Sequence, residues 1–130
     1  MSIKKYQNYV YNYDASKHIV KAIEVSEKIV RLQELKKINS DIVALIEIEG
    51  TNIKYPVLQT DNNSYYMMYD YKKEHSRDGA IMLDKACDLF KPTTNILIYG
   101  HNNIGSRGMF ADLIKYKNKD FYENHKTIKF

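Results

Sequence analysis

The feature that most constrains this chain is a change of hydrophobic period at Asn39-Ser40-Asp41. Upstream, Ala22, Val25, Ile29, Leu32 and Leu35 recur at steps of three and four, the spacing that lines one face of an α-helix. Downstream, Ile42-Val43-Ala44-Leu45-Ile46-Glu47-Ile48 is rich in β-branched residues, and Ile46 to Glu49 alternate apolar with acidic. A period of 3.6 and a period of 2 set different residues on one side, so neither stretch can take the other's structure. The spacing therefore predicts a helical region followed by a β-rich one.

The helix covers residues 15–38, with Asp14 as N-cap and residues 1–14 as a polar, tyrosine-rich arm. Four strands follow, over 42–48, 53–58, 79–83 and 95–100, and Pro56 assigns the second an edge or bulge position. Gly50-Thr51-Asn52 reads as a turn, Asp61 to Ser64 as a turn or helix cap, and 72–78 as a charged loop. Residues 84–92 connect the last two strands, and 102–108 form a glycine-containing loop. Phe110, Leu113 and Ile114 lie at helical spacing in 109–116, 120–125 reads as a second short helix, and 126–130 as a strand that has just begun. The fold class is mainly β with helices, an α+β arrangement with no closed barrel and one sheet edge open to pairing.

Composition narrows the function. A chain of 130 residues makes one domain. Twenty basic and sixteen acidic residues leave a net charge of +4, but the signs are interspersed. A nucleic-acid binder gathers such charge on one face, so that class ranks last despite twelve tyrosines that could stack on bases. The single cysteine, Cys87, forms no intramolecular disulfide. No run of eighteen apolar residues is present, and the start Met1-Ser2-Ile3-Lys4-Lys5-Tyr6 lacks a signal peptide's apolar core. Two readings stay open: a soluble intracellular chain, or one whose anchor lies outside these residues.

The chemically suggestive position is His101, which follows the apolar run Asn95-Ile96-Leu97-Ile98-Tyr99-Gly100 and opens a polar loop. An ordinary imidazole gives and takes a proton near neutral pH, and a strand end fixes its backbone while leaving the ring accessible. His18 and His75 read as surface polar residues, and His125 as a helix-end residue. Asn63 reads as turn chemistry, Met67 and Met68 as packing, and Tyr99 as either packing or groove lining. Cys87 is flanked by Asp84 and Asp88, which oppose thiolate formation, and reads as a small, partly buried structural residue. The Gly100-to-Gly105 loop lacks the glycine patterns of a phosphate cradle. His101, Asp112 and His125 are not at metal-ligand spacing, so no metal is expected.

An ordered series of short runs resembles the class B sortases, cysteine transpeptidases that attach proteins to the Gram-positive cell wall. It begins with Ile48-Glu49-Gly50-Thr51-Asn52-Ile53-Lys54-Tyr55-Pro56-Val57-Leu58-Gln59, then Asn63, Tyr66 and Met67. It continues through Glu74-His75, Gly79-Ala80-Ile81-Met82-Leu83-Asp84 and Asn95 to Asn102. Met109-Phe110, Leu113, Tyr116, Phe121-Tyr122-Glu123 and His125-Lys126 close it. The resemblance implies residues 1–40 as an N-terminal arm and helix, and 41–130 as the front part of an eight-stranded barrel domain, incomplete here.

It also implies a Cys, His and Arg mechanism. A thiolate attacks a sorting-signal peptide, an imidazolium protonates the departing amine, and a peptidoglycan-precursor amine then attacks the thioester. By motif match His101 is the acid/base, and Asn63, Met67 and Tyr99 line the substrate groove. No cofactor is implied. The parent enzyme is expected on the outer face of the cell membrane, anchored by a segment absent from these residues. The sequence departs from the family in having no Thr-Leu-Ser-Thr-Cys-like run and no arginine after it. Cys87, Arg31, Arg77 and Arg107 do not match those positions, so this chain is expected to be inactive alone. The alternative is a non-catalytic module that binds peptide or self-assembles through its open sheet edge.

Overall fold

The computed structural model describes residues 15–91 and 94–130. Its backbone divides into two units, residues 1–31 and residues 32–130. The arm with Asp14 and the side chain of His18 lie outside the described residues. Helix α1 spans Ala15–Ile38. In the first unit it presents Ile19, Val20, Ile23, Val25 and Ile29 to solvent. In the second unit the predicted apolar stripe continues with Leu32 and Leu35, which pack against that unit's core.

The second unit holds a four-stranded sheet in the order β1-β2-β3-β4. Strand β1 is Ile42–Glu47, β2 is Lys54–Leu58, β3 is Ile81–Leu83 and β4 is Ile98–Tyr99. The first pair is antiparallel with an irregularity at Ile42/Ala44, β2 and β3 run parallel, and β3 and β4 run antiparallel. Alternation sends Val57, Ile81 and Leu83 to one core cluster with Ile46, Ile48 and Ile53. Leu58 and Met82 go to the other, with Ile42, Tyr66 and Ala80. Both faces are buried, so the sequence reads as apolar runs more than as strict alternation.

Several expectations need correction. Strand β2 is interior rather than an edge; Pro56 is tolerated because pairing with β3 begins only at Val57. The third strand is shorter than 79–83 because Gly79 takes φ +60° and the Ala80 N–H donates to the Tyr66 carbonyl at 2.8 Å. The fourth is shorter than 95–100 because the Leu97 N–H turns to Cys87 Sγ at 3.5 Å. The loop over 102–108 contains a hairpin: β5, Asn102–Asn103, pairs antiparallel with β6, Gly108–Met109. Residues 109–116 give not an α-helix but a 3₁₀ helix over Ala111–Lys117. Helix α2, Lys119–Asn124, follows it with Asn118 as N-cap. The final stretch makes a single antiparallel bridge, Glu47 to Lys129, through two backbone hydrogen bonds of 2.9 Å. The described residues form no closed barrel, and none of their helices is long and apolar enough to cross a membrane.

Two buried polar side chains fix the parts. Asp112 accepts from the Asn52 N–H at 2.7 Å, and Arg107 and Lys115 stand at 3.7 Å. That N–H and the two cations hold its carboxyl below the usual range against the opposing effect of burial. Asn39 ends α1 and is buried. Its Nδ2 donates to the Tyr66 hydroxyl at 2.8 Å and the Tyr71 carbonyl at 2.9 Å, while Oδ1 accepts from the Asp41 N–H at 3.0 Å. The Tyr66 hydroxyl donates on to Asp41 at 2.7 Å, and burial chiefly pushes its ionisation far above a tyrosine's ordinary range. Asn39→Ala is expected to destabilise the chain by about 2 kcal/mol, since it strands buried partners. A urea midpoint equal to wild type would contradict this.

Candidate functional site

The site is built where the end of β4 lies beside the segment 63–67. Tyr66 anchors that segment in the core and forms, with Tyr65 and Met67, a 3₁₀ turn. Gly100 lets β4 lie close, because a Cβ there would sit 2.8 Å from the Phe110 ring. The next residue, His101, is half-buried, and its carbonyl accepts from the Phe110 N–H at 2.9 Å.

The imidazole Nε2 of His101 lies 2.9 Å from the Met67 carbonyl oxygen. A carbonyl only accepts, so Nε2 carries the proton. The neutral ring then has its basic lone pair on Nδ1. The Met67 side chain, beside that carbonyl, is 46% exposed.

The remaining two sequence-predicted residues, Asn63 and Tyr99, meet on a third that sequence reasoning missed as a site residue. Asp84 Oδ2 accepts from the Tyr99 hydroxyl at 2.7 Å and from Asn63 Nδ2 at 3.0 Å. Asp84 Oδ1 accepts from the Ala86 N–H at 2.8 Å, and Asn63 Oδ1 accepts from the Lys85 N–H at 2.8 Å. The Tyr99 hydroxyl, then the Ala86 N–H, hold the Asp84 carboxyl below its usual range. The same hydrogen bond raises the ionisation of Tyr99. Gln59 Nε2 braces the loop by donating to the carbonyls of Asp84 and Cys87 at 2.9 and 2.8 Å. Thus segment 63–67 is tied to segment 99–101 twice, through Asp84 at one end and through His101 and Met67 at the other.

Cys87 is half-buried and packs against the first core cluster. Arg107 is engaged with Asp112. His75 packs edge-on against Tyr69 with ring centroids 5.8 Å apart. His125 donates from Nδ1 to the Phe121 carbonyl at 2.8 Å and stacks on that ring at 4.0 Å, so it finishes α2. Among the described residues no three His, Cys, Asp or Glu side chains form a metal-binding group.

No family model matches the chain. Two curated relatives do. Sortase B of Staphylococcus aureus is 41% identical over 100 residues, which is 77% of this chain and 41% of the relative. Sortase B of Listeria monocytogenes is 41% identical over 99 residues, 76% of this chain and 40% of the relative. The chain thus spans about two-fifths of the length of these relatives. Among solved structures, a Staphylococcus aureus sortase B–substrate complex superposes with a TM-score of 0.73 at 34% identity, covering 98% of this chain and 59% of that one. Clostridium perfringens sortase B gives 0.69 at 38% identity, covering 74% and 51%. Sortase B of Bacillus anthracis in complex with AAEK1 gives 0.70 at 33% identity, covering 75% and 46%. The helix followed by a mixed sheet is therefore part of the sortase fold.

Proposed function

We propose that this chain, a homologue of the class B sortases, carries the acid/base and part of the peptide groove of a cysteine transpeptidase. The enzyme cleaves a C-terminal sorting signal and joins surface proteins to peptidoglycan at the outer face of the cell membrane. The observation that supports this best is His101 at a strand end, its Nε2–H held by the Met67 carbonyl, next to the linked pair Asn63 and Tyr99.

With Nε2 occupied, Nδ1 is the atom that moves protons. A thiolate sulfur bonds to the scissile carbonyl carbon and the carbon–nitrogen bond breaks. The departing amine takes the proton from protonated Nδ1. Neutral Nδ1 then removes a proton from the incoming amine of the wall precursor as it attacks the thioester, and the thiolate leaves. Asn63, Met67 and Tyr99 line the groove that orients the peptide. Cys87 is a structural residue here, packed against the core with its sulfur receiving the Leu97 N–H. These 130 residues alone are therefore expected to bind the sorting peptide without cleaving it.

The test is an NMR titration of the labelled chain with the peptide substrate of the Staphylococcus aureus enzyme. Shifts centred on Asn63, Met67, Tyr99 and His101, with the peptide intact, are expected. Shifts elsewhere refute the groove. Cleavage lost in His101→Ala but kept in Cys87→Ala refutes the inactivity. A second reading, self-association, draws on the exposed Ile96, Leu97 and Tyr99 at β4, an edge of the sheet. A purely monomeric sedimentation profile would remove it.

A further inference from the structure

Asn63 and Tyr99 are both amphoteric: an amide has a donor end and an acceptor end, and a hydroxyl does both. Left to themselves they would accept several partner geometries. In this chain each has lost that freedom. The single proton of the Tyr99 hydroxyl is given to Asp84 Oδ2 at 2.7 Å. The Asn63 amide cannot flip, because Nδ2 donates to the same oxygen at 3.0 Å while Oδ1 receives the Lys85 N–H at 2.8 Å. What these bonds leave over is an acceptor, the Tyr99 oxygen, and a donor, the second N–H of Asn63. Tyr99 is 40% exposed.

We infer that Asp84 is a positioning residue that fixes the hydrogen-bond polarity of this wall, so that it takes one residue of an extended peptide in one direction. That residue's own N–H goes to the Tyr99 oxygen and its own carbonyl to the Asn63 N–H, since the two groups of one residue in an extended chain face the same side. The inference rests on the groove proposed above and deepens it: the groove selects for amide groups and reads chain direction at Asn63 and Tyr99. Asp84 is itself held for the task. Its Oδ1 is anchored by the Ala86 N–H at 2.8 Å, and its carbonyl is braced by Gln59 at 2.9 Å. A carboxylate accepts on both oxygens and never donates, which makes Asp the residue that can orient two donors at once.

Asp84→Asn separates this role from a merely structural one. The variant keeps an oxygen for the Ala86 N–H but places an NH₂ where Oδ2 receives Tyr99 and Asn63. Two readouts on the 130-residue chain are combined. The first is the pH titration of the Tyr99 ring carbon by NMR, without ligand. Tyr99 ionises above the ordinary tyrosine range in wild type, because the hydrogen bond to Asp84, then burial, then the Asp84 charge disfavour the phenolate. In Asp84→Asn its midpoint is expected to fall toward the ordinary value, and in Asp84→Glu to stay raised.

The second readout is affinity for the peptide substrate of the Staphylococcus aureus enzyme and for analogues with one amide N–H at a time replaced by an ester oxygen. One replacement is expected to weaken binding to wild type about tenfold and to Asp84→Asn little, a coupling of the kind double-mutant cycles measure. A fall in the Tyr99 midpoint together with that coupling supports the inference. An unchanged midpoint, or peptide affinity and ester sensitivity equal in wild type and Asp84→Asn, overturns it while the groove stands. If wild type binds no peptide yet the Tyr99 midpoint falls in Asp84→Asn, the groove and the amide preference fall, and only the orienting contact survives.

Discussion

In the proposed transpeptidase, His101→Ala is expected to slow turnover by about 10²–10⁴-fold, the usual worth of a positioned acid/base, with KM nearly unchanged. In the proposed mechanism two proton transfers depend on Nδ1: protonation of the departing amine and deprotonation of the incoming one. Alanine removes both. It also removes the Nε2–H donor to the Met67 carbonyl, so the loss alone does not separate chemistry from positioning. His101→Gln does. A glutamine amide can still donate to that carbonyl, but it has no basic nitrogen. If His101 works by proton transfer, the Gln variant is as slow as the Ala variant. Rates within about tenfold of wild type for His101→Gln would mean the residue acts through the Met67 contact, and the acid/base role would fall.

The two kinds of information at this site were unequally legible. His101 stood out because an apolar run ending in Tyr99-Gly100 predicts a strand, and a histidine at a strand end is accessible yet fixed. Its partner did not stand out, because the contact uses a backbone carbonyl, a group every residue has. Asn63 drew attention only through the family resemblance, since by residue type it reads as turn chemistry, while Tyr99 reads as either packing or groove lining. Asp84 links them over 21 and 15 positions of sequence, and nothing in Leu83-Asp84-Lys85-Ala86 beyond a turn signals it. In the fold, the break at Asn39 was legible because it changes a period over many residues. The β5–β6 hairpin was not, since two-residue strands cannot show alternation. The exposure of Val25 and Ile29 was not legible either. An apolar stripe shows which side of a helix seeks burial, not how far along it a partner reaches.

Gly79→Ala is expected to destabilise the chain by about 3 kcal/mol or more and to release His101 at the same time. Gly79 has φ +60°, a conformation that costs an L-residue about 1–2 kcal/mol before any contact is considered. A Cβ there would lie 2.7 Å from the Met67 carbonyl oxygen and 2.9 Å from its carbon, and would press on the Tyr66 carbonyl oxygen as well. These are backbone atoms that cannot rotate away, and both oxygens are in use. The Tyr66 carbonyl receives the Ala80 N–H at 2.8 Å, and the Met67 carbonyl receives His101 Nε2–H. Relief therefore requires segment 66–67 to move away from β3 or from the imidazole. Urea unfolding measures the first cost, and the ¹⁵N shifts of the His101 ring report whether Nε2 still holds the proton. Gly105→Ala is the control: its φ lies outside the left-handed region, and its nearest neighbour would be 3.7 Å away. That change is expected to fall within about 0.5 kcal/mol of wild type. A Gly79→Ala chain with the wild-type midpoint would show that segment 66–67 yields easily, and that the Met67 carbonyl is too loosely held to fix the proton on His101.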